Sequence, residues 1–253
     1  MTANTPLSTV DNTRFVLLNT SHAGNVGAAA RAMKVMGFSD LVLVAPRFDD
    51  VLSREETVAM ASGAADILVR ARIVGSLAEA LEGFSFACAT AMTPRDFGPP
   101  TFAPRDRLPA LAGEVAAGAQ RVAFVFGGER FGMRNDDVWR CHACLSIPAA
   151  PDYGSLNLAQ AVQCIAYDWR CALGAWPVQP RTAETVPADG AAVAGALAHW
   201  QQVLEQIGFL DRAVPKRLMP RLQQLIHRAQ PTAAELHILR GIARAVGKAR
   251  TND

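Results

Sequence analysis

The stretch Arg121–Gly127, with the sequence RVAFVFG, is a nearly continuous apolar run, and two of the next five residues are again glycine. Runs of this kind are typical of strands that are buried on both faces of a parallel sheet. Four similar runs lie elsewhere in the first 150 residues, namely Arg14–Asn19, Leu41–Ala45, Phe84–Thr90 and Ala143–Ile147. The sequence therefore predicts an α/β domain.

Helical spacing of apolar residues lies between and after these runs. It predicts helices over Asn25–Met36, where Gly37 provides a natural end, over Glu55–Val69 and over Leu158–Leu173. With these helices, the expected architecture is a parallel sheet covered on its faces.

A second, smaller unit is expected after the sheet. Residues 176–190 are rich in proline and polar side chains, which is the composition of a linker. Helical patterns follow over Ala191–Ile207 and after the capping-box sequence Thr232–Glu235. We predict a first domain over residues 1–175, a linker over 176–190 and a helical extension over 191–253.

The composition indicates a globular protein of 253 residues, half of them hydrophobic. No apolar run approaches the roughly 20 residues that cross a bilayer, and the first residues do not resemble a signal peptide. We therefore expect a cytoplasmic protein that does not associate with membranes. Five cysteines without an export signal predict reduced thiols, and Cys141-His142-Ala143-Cys144 lacks the second ligand pair of a zinc site, so no metal is expected.

The net charge of +2 hides an asymmetry along the chain. Residues 1–210 carry 16 Lys and Arg against 20 Asp and Glu, whereas residues 211–253 carry 9 against 3. A basic module on a mildly acidic body is attracted to polyanions such as nucleic acid, although a solvated helical face is the alternative interpretation.

Polar loops follow several of the predicted strands. They are Asn19–Gly27, Thr90–Arg95, Phe126–Met133 and Asp152–Asn157. In open α/β sheets ligands bind outside the carboxyl ends of the strands. Each loop alone also fits an ordinary turn or a capped helix, and none has the glycine spacing of a dinucleotide or P-loop site. The group as a whole predicts a ligand site at one edge of the sheet.

Three of these segments together resemble the SPOUT-superfamily RNA 2′-O-ribose methyltransferases. They are Asn19–Met33 (NTSHAGNVGAAARAM), Phe126–Gly132 (FGGERFG) and Ile147–Val162, which ends in SLNLAQAV. Within that superfamily they are most similar to the TrmJ-type tRNA enzymes. The resemblance covers nearly the whole chain, because segments between Gly208 and Ile242 look like the helical extension of that group.

The resemblance implies a trefoil knot at the carboxyl end of the first domain, a homodimer, and S-adenosylmethionine as cofactor. The family pattern assigns the cofactor to eight residues: Thr90, Ala91, Met92, Gly127, Ile147, Ser155, Leu156 and Asn157. It assigns catalysis to Arg31, Ser155 and Asn157, with Glu129 as a weaker candidate. Since a guanidinium keeps its proton at neutral pH, we expect Arg31 to bind a phosphate and orient the hydroxyl rather than to act as a base.

The function implied by the resemblance is 2′-O-methylation of a tRNA ribose, with nucleotide 32 of the anticodon loop as the target. Two alternatives remain at the level of sequence. One is an enzyme of the same superfamily that acts on ribosomal RNA or on another tRNA position. The other is a knotted RNA-binding module without catalysis, against which Arg31 and Ser155-Leu156-Asn157 argue.

Overall fold

A computed structural model describes residues 12–92, 96–178, 185–214 and 216–249. The chain divides into two compact units, Met1–Pro177 and Val178–Asp253. No helix in these described ranges is long and apolar enough to cross a membrane.

The first unit contains a seven-stranded sheet in which every pair of neighbouring strands is parallel. The strand order is β3-β2-β1-β6-β4-β7-β5. The strands are β1 (Thr13–Leu18), β2 (Asp40–Val44), β3 (Arg72–Val74), β4 (Phe86–Thr90), β5 (Thr101–Phe102), β6 (Val122–Phe126) and β7 (Ala143–Leu145).

Helices connect the strands of this sheet. They are α1 (Ala23–Val35), α2 (Glu55–Ala61), α3 (Ala65–Arg70), α4 (Leu77–Ala80), α5 (Pro104–Ala116), α6 (Asn135–Val138) and α7 (Leu158–Ala172). A single 3-10 turn, Ser62–Ala64, separates α2 from α3.

Both faces of the central strands are buried, as the apolar runs predict. In β1, Phe15 and Leu17 belong to one hydrophobic cluster, whereas Val16 and Leu18 belong to a second cluster on the opposite face. This alternation follows from the two-residue period of a strand. The first cluster includes the fully buried Trp169 of α7, whose Nε1 donates to the hydroxyl of Thr13 over 2.9 Å.

The predicted α/β architecture with a parallel sheet is confirmed, and each of the five predicted strands is present within two residues at either end. The prediction of one continuous helix over Glu55–Val69 is wrong. Ser62 has a positive φ of 51° and interrupts the helix. The knot that the resemblance implies stays a prediction.

The described residues of the second unit form three helices: α8 (Gly190–Gln206), α9 (Leu218–Ala229) and α10 (Ala233–Ala249). Its core brings together Val193, Ala196, Ile226 and Leu236. The predicted capping box at the start of α10 is confirmed, since Thr232 N–H donates to Glu235 Oε2 over 2.7 Å and Glu235 N–H donates to Thr232 Oγ1 over 3.2 Å.

Candidate active site

A cavity of about 350 Å³ opens at the carboxyl ends of β4, β6 and β7. This volume lies in the range of small-ligand pockets. Its walls come from the segments that follow these three strands and from the start of α7. The lining residues are Thr90, Ala91, Met92, Phe126, Gly127, Gly128, Glu129, Arg130, Phe131, Gly132, Met133, Ile147, Gly154, Ser155, Leu156, Leu158 and Ala161.

The glycines after β6 allow the chain to fold back tightly on itself. A Cβ atom on Gly127 would lie 2.1 Å from the carbonyl carbon of Gly132 and 2.2 Å from the nitrogen of Met133. The Gly132 N–H donates to the carbonyl of Gly128 over 2.9 Å, and Gly132 has a φ of +64°. A side chain at position 127 would clash with the backbone, and the left-handed backbone at position 132 favours glycine. The turn therefore depends on both glycines.

The carboxylate of Glu129 connects this turn to the segment that follows β1. Its Oε2 accepts hydrogen bonds from the backbone N–H and the hydroxyl of Ser21, at 2.8 and 2.9 Å, and its Oε1 accepts one from Asn25 Nδ2 at 2.8 Å. Burial raises the pKa of Glu129, but the hydrogen bonds from Asn25 and Ser21 outweigh this effect and hold the pKa below its ordinary value. Glu129 is therefore a carboxylate at neutral pH.

Asn157 begins α7 and joins the same network. Its Oδ1 accepts from the Ala159 N–H over 2.9 Å, and its own N–H donates to Gln160 Oε1, which forms a capping box. Its Nδ2 donates to Asn25 Oδ1 over 2.9 Å. The amide of Asn157 thus caps the helix with one atom and bonds to α1 with the other.

Thr90, at the end of β4, supplies the cavity wall with a polar group. Its Oγ1 is buried and finds no hydrogen-bond partner within the described part of the chain. A buried hydroxyl without a partner costs about 1–3 kcal/mol. A ligand that hydrogen-bonds to Thr90 Oγ1 would remove this cost.

The structure brings together most of the predicted site residues. Thr90, Ala91, Met92, Gly127, Ile147, Ser155 and Leu156 all line the cavity. Asn157 is not among the lining residues, although its sequence neighbours Leu156 and Leu158 are. Ser21 was not singled out by sequence reasoning and Glu129 only weakly, because nothing in the sequence shows that two segments more than 100 residues apart share one carboxylate.

Arg31 lies on the exposed side of α1, outside the lining of the cavity. Among the described residues it has neither a hydrogen bond nor an ion pair, in contrast to Lys34 of the same helix, whose ammonium contacts Asp66 at 2.6 Å. A guanidinium that is exposed and unpaired within the described ranges is available for an external anion.

The cysteine and histidine side chains at 141–144 have structural partners. His142 Nδ1 accepts the Ala87 N–H over 3.0 Å, and its ring stacks on Phe86. Burial raises the pKa of Cys141 to about 12, so this thiol stays protonated. Within the described ranges, no group of three or more His, Cys, Asp and Glu side chains is arranged to hold a metal ion.

The fold and the site together define an α/β protein whose parallel sheet presents a glycine-walled ligand cavity at the carboxyl ends of adjacent strands. Residues 12–167 match the SpoU rRNA Methylase family, and residues 191–253 match the family described as "tRNA methyltransferase TrmJ, C-terminal domain". The chain belongs to the SpoU rRNA methylase family.

Curated relatives match over nearly the whole chain. The tRNA (cytidine/uridine-2′-O-)-methyltransferase TrmJ of Pectobacterium atrosepticum is 42% identical over 94% of this chain and 98% of its own length. The tRNA (cytidine/uridine/adenosine-2′-O-)-methyltransferase TrmJ of Pseudomonas aeruginosa is 41% identical over 92% of this chain and 93% of its own length. Among solved structures, the crystal structure of TrmJ from Z. mobilis ZM4 superposes with a TM-score of 0.76. The two sequences are 28% identical, and the match covers 93% of this chain and 99% of that one.

Proposed function

We propose that this protein transfers a methyl group from S-adenosylmethionine to the 2′-hydroxyl of a tRNA ribose, at nucleotide 32 of the anticodon loop. The observation that carries the proposal is the cavity whose walls contain seven of the residues that the family pattern assigns to the cofactor. The relatives named above, which match over more than nine-tenths of this chain, are tRNA 2′-O-methyltransferases by name.

The residues of the cavity fit this cofactor. Thr90 offers a buried hydroxyl that has no partner among the described residues, and Gly127 lets the backbone approach a ligand closely. Ile147 and Leu156 add apolar surface. When bound, S-adenosylmethionine supplies an activated methyl group on sulfur, so the protein mainly has to align the ribose hydroxyl and handle one proton.

The catalytic roles follow from position and chemistry. Ser155 lines the cavity, so its hydroxyl is placed to contact the ribose or the cofactor. Arg31 binds the phosphate next to the target ribose, since a guanidinium recognises phosphate with two parallel hydrogen bonds. Asn157 acts as a positioning residue, because both atoms of its amide already have protein partners.

The helical unit holds the body of the tRNA. All of its described lysine and arginine residues are exposed, and they project mostly from α9, α10 and the segment before α9. Neutralisation of phosphates by these side chains releases counterions, which favours binding of a polyanion. The proposed division of labour places catalysis in residues 1–175 and tRNA retention in residues 191–253.

The proposed assembly is a homodimer in the cytoplasm. The exposed sides of α1 and α7 carry Val35 and Tyr167, which are about half exposed, and a second copy would cover them. Arg31 lies on the same side of α1 as Val35 and is outside the cavity of its own chain. Light scattering of the purified protein measures its molar mass, and the proposed dimer requires twice the mass of one chain.

The proposed function is tested with labelled S-adenosylmethionine and unmodified tRNA transcripts, followed by mapping of ribose methylation. We expect one methyl group at nucleotide 32, and transfer to ribosomal RNA without transfer to any tRNA would refute the proposal. Arg31→Ala should abolish transfer while calorimetric binding of S-adenosylmethionine persists. Lys34→Ala, on the same helix, is the matched control and should retain activity.

A further inference from the structure

Phe131 is an aromatic residue that the fold leaves in solvent at the rim of the cavity. Its side chain is 88% exposed, although it lines the cavity. Phenylalanine is among the residues most often buried, because its ring gains much by leaving water. Unlike the exposed ring of Phe97, this ring lies at the cavity and can contact what binds there.

The turn that carries Phe131 is fixed by its neighbours. The hydrogen bond from Gly132 to the carbonyl of Gly128 closes the turn, and the Glu129 carboxylate is held by Ser21 and Asn25. The ring therefore projects from a backbone that is ordered before any ligand binds. The turn therefore loses little further conformational entropy when a partner stacks on the ring.

The surroundings of Phe131 suit a nucleic-acid base. Arg130, its neighbour in sequence, is also exposed at the cavity and adds a positive charge for the phosphate. Single-stranded RNA is recognised when unstacked bases lie on aromatic rings beside cationic groups. Stacking uses the face of the base, which cytosine and uracil share, rather than the edge that distinguishes them.

We propose that Phe131 is the platform on which the base of the target nucleotide stacks, so that the attached ribose faces the cavity. This inference rests on the proposed function and assigns its base-binding element. A π face imposes no hydrogen-bond pattern, so this platform would not by itself select one base.

The test compares three substitutions of Phe131 in the full chain. Phe131→Ala and Phe131→Leu should both lower kcat/KM for tRNA by about 5- to 150-fold, the range that loss of one stacked base corresponds to. Phe131→Trp should retain activity, since it keeps an aromatic face. The calorimetric Kd for S-adenosylmethionine should stay unchanged in all three.

Phe97 is the matched control, because it is fully exposed and lies outside the lining of the cavity. Phe97→Ala should behave like wild type. Full activity of Phe131→Leu would overturn the proposal, since apolar area alone would then suffice. A parallel loss of S-adenosylmethionine affinity would also overturn it, because the ring would then cover the cofactor.

A second readout is independent of catalysis and uses tRNA with 2-aminopurine in place of base 32. Stacking on an aromatic ring quenches this base, so its complex with Phe131→Ala should be brighter than its complex with wild type. Equal brightness of the two complexes would overturn the proposal. Failure of wild type to methylate any tRNA would instead refute the proposed function, and the fluorescence comparison would still judge the stacking.

Discussion

Asn157 donates a hydrogen bond from Nδ2 to Oδ1 of Asn25 over 2.9 Å, and the two residues are 132 positions apart in the sequence. Asn25 in turn donates to Glu129, which also accepts from Ser21. One network thus joins the segment after β1, the glycine turn after β6 and the start of α7. The position of the glycine turn and of the start of α7, which both line the cavity, relative to the segment after β1 thus depends on four polar side chains.

Asn157→Asp separates the two roles of this amide. Aspartate is as good a helix cap as asparagine, so α7 should keep its start. The donor to Asn25 is lost, and a second carboxylate is brought near Glu129. We expect methyl transfer to fall roughly tenfold, the effect of about 1.4 kcal/mol on the barrier, with a small change in melting temperature.

Asn157→Ala is the comparison variant for this experiment, because it removes the cap as well as the donor. It should lower the stability by a further ~1 kcal/mol. Wild-type turnover of Asn157→Asp would show that the bond between Asn157 and Asn25 does not position the site.

Glu129→Gln should make the stability of the protein less dependent on acid pH. The pKa of Glu129 lies below its ordinary value of 4.5, so its carboxylate stabilises the fold above that pH, and this contribution disappears as the pH falls through the depressed pKa. Glutamine cannot accept from Ser21 on one side and Asn25 on the other without facing one donor with its own NH₂ group.

The expected loss is about 1–2 kcal/mol of unfolding free energy at pH 7. Urea titrations at steps between pH 7 and pH 3 measure it. The difference between wild type and variant should be constant down to about pH 4.5, the ordinary value for this carboxyl, and shrink below it. A difference that grows on acidification contradicts the assignment.

Thr90→Val should have opposite effects on stability and on cofactor binding. Valine has the shape of threonine and removes a buried hydroxyl without a described partner, so the ligand-free protein should gain about 1 kcal/mol. The Kd for S-adenosylmethionine should rise about tenfold, because a ligand hydrogen bond worth about 1.4 kcal/mol is lost.

Thr20→Val is the matched control for Thr90→Val. The Thr20 hydroxyl is also buried without a described partner, but Thr20 lies outside the lining of the cavity. This variant should gain stability with no change in cofactor affinity. Equal affinities of Thr90→Val and wild type would remove Thr90 from the cofactor site.

The sequence predicted the central strands because burial on both faces leaves a continuous apolar run, as in Val122–Phe126. It did not predict β3 and β5, which form the two edges of the sheet. Arg72 and Ile73 of β3 are exposed, and β5 has only two residues, so neither leaves an apolar run. Helix α5 was also missed, since Pro109 within it disguises the helical pattern.

The parts of the candidate site that were predictable are those formed by one continuous segment of sequence. Glycine, serine and asparagine at strand ends indicate the cavity walls, because their local chemistry is readable from neighbouring residues. The exposure of Arg31 and the shared Glu129 carboxylate are tertiary properties. They depend on how α1 packs in the fold and on a contact between Ser21 and Glu129, for which the sequence carries no local signal.

The arginines on α9 should control the salt dependence of tRNA binding. Arg221 and Arg228 are both exposed and are seven residues apart, so they lie two turns apart on one face of the helix. The double variant Arg221→Gln, Arg228→Gln should weaken tRNA binding and reduce the slope of log K against log salt by about 0.7–0.9 for each phosphate that the variant no longer neutralises.

Arg212→Gln, which removes one charge, is the control for Arg221→Gln and Arg228→Gln made singly, because the Arg212 guanidinium is paired with Glu205 at 2.9 Å. Its effect on the slope should be smaller than that of either α9 arginine alone. Filter binding measures the slopes over about 50 to 300 mM salt, where counterion release makes affinity fall steeply with salt. An unchanged slope in the double variant would mean that this face of α9 is only solvated, and that tRNA retention lies elsewhere on the chain.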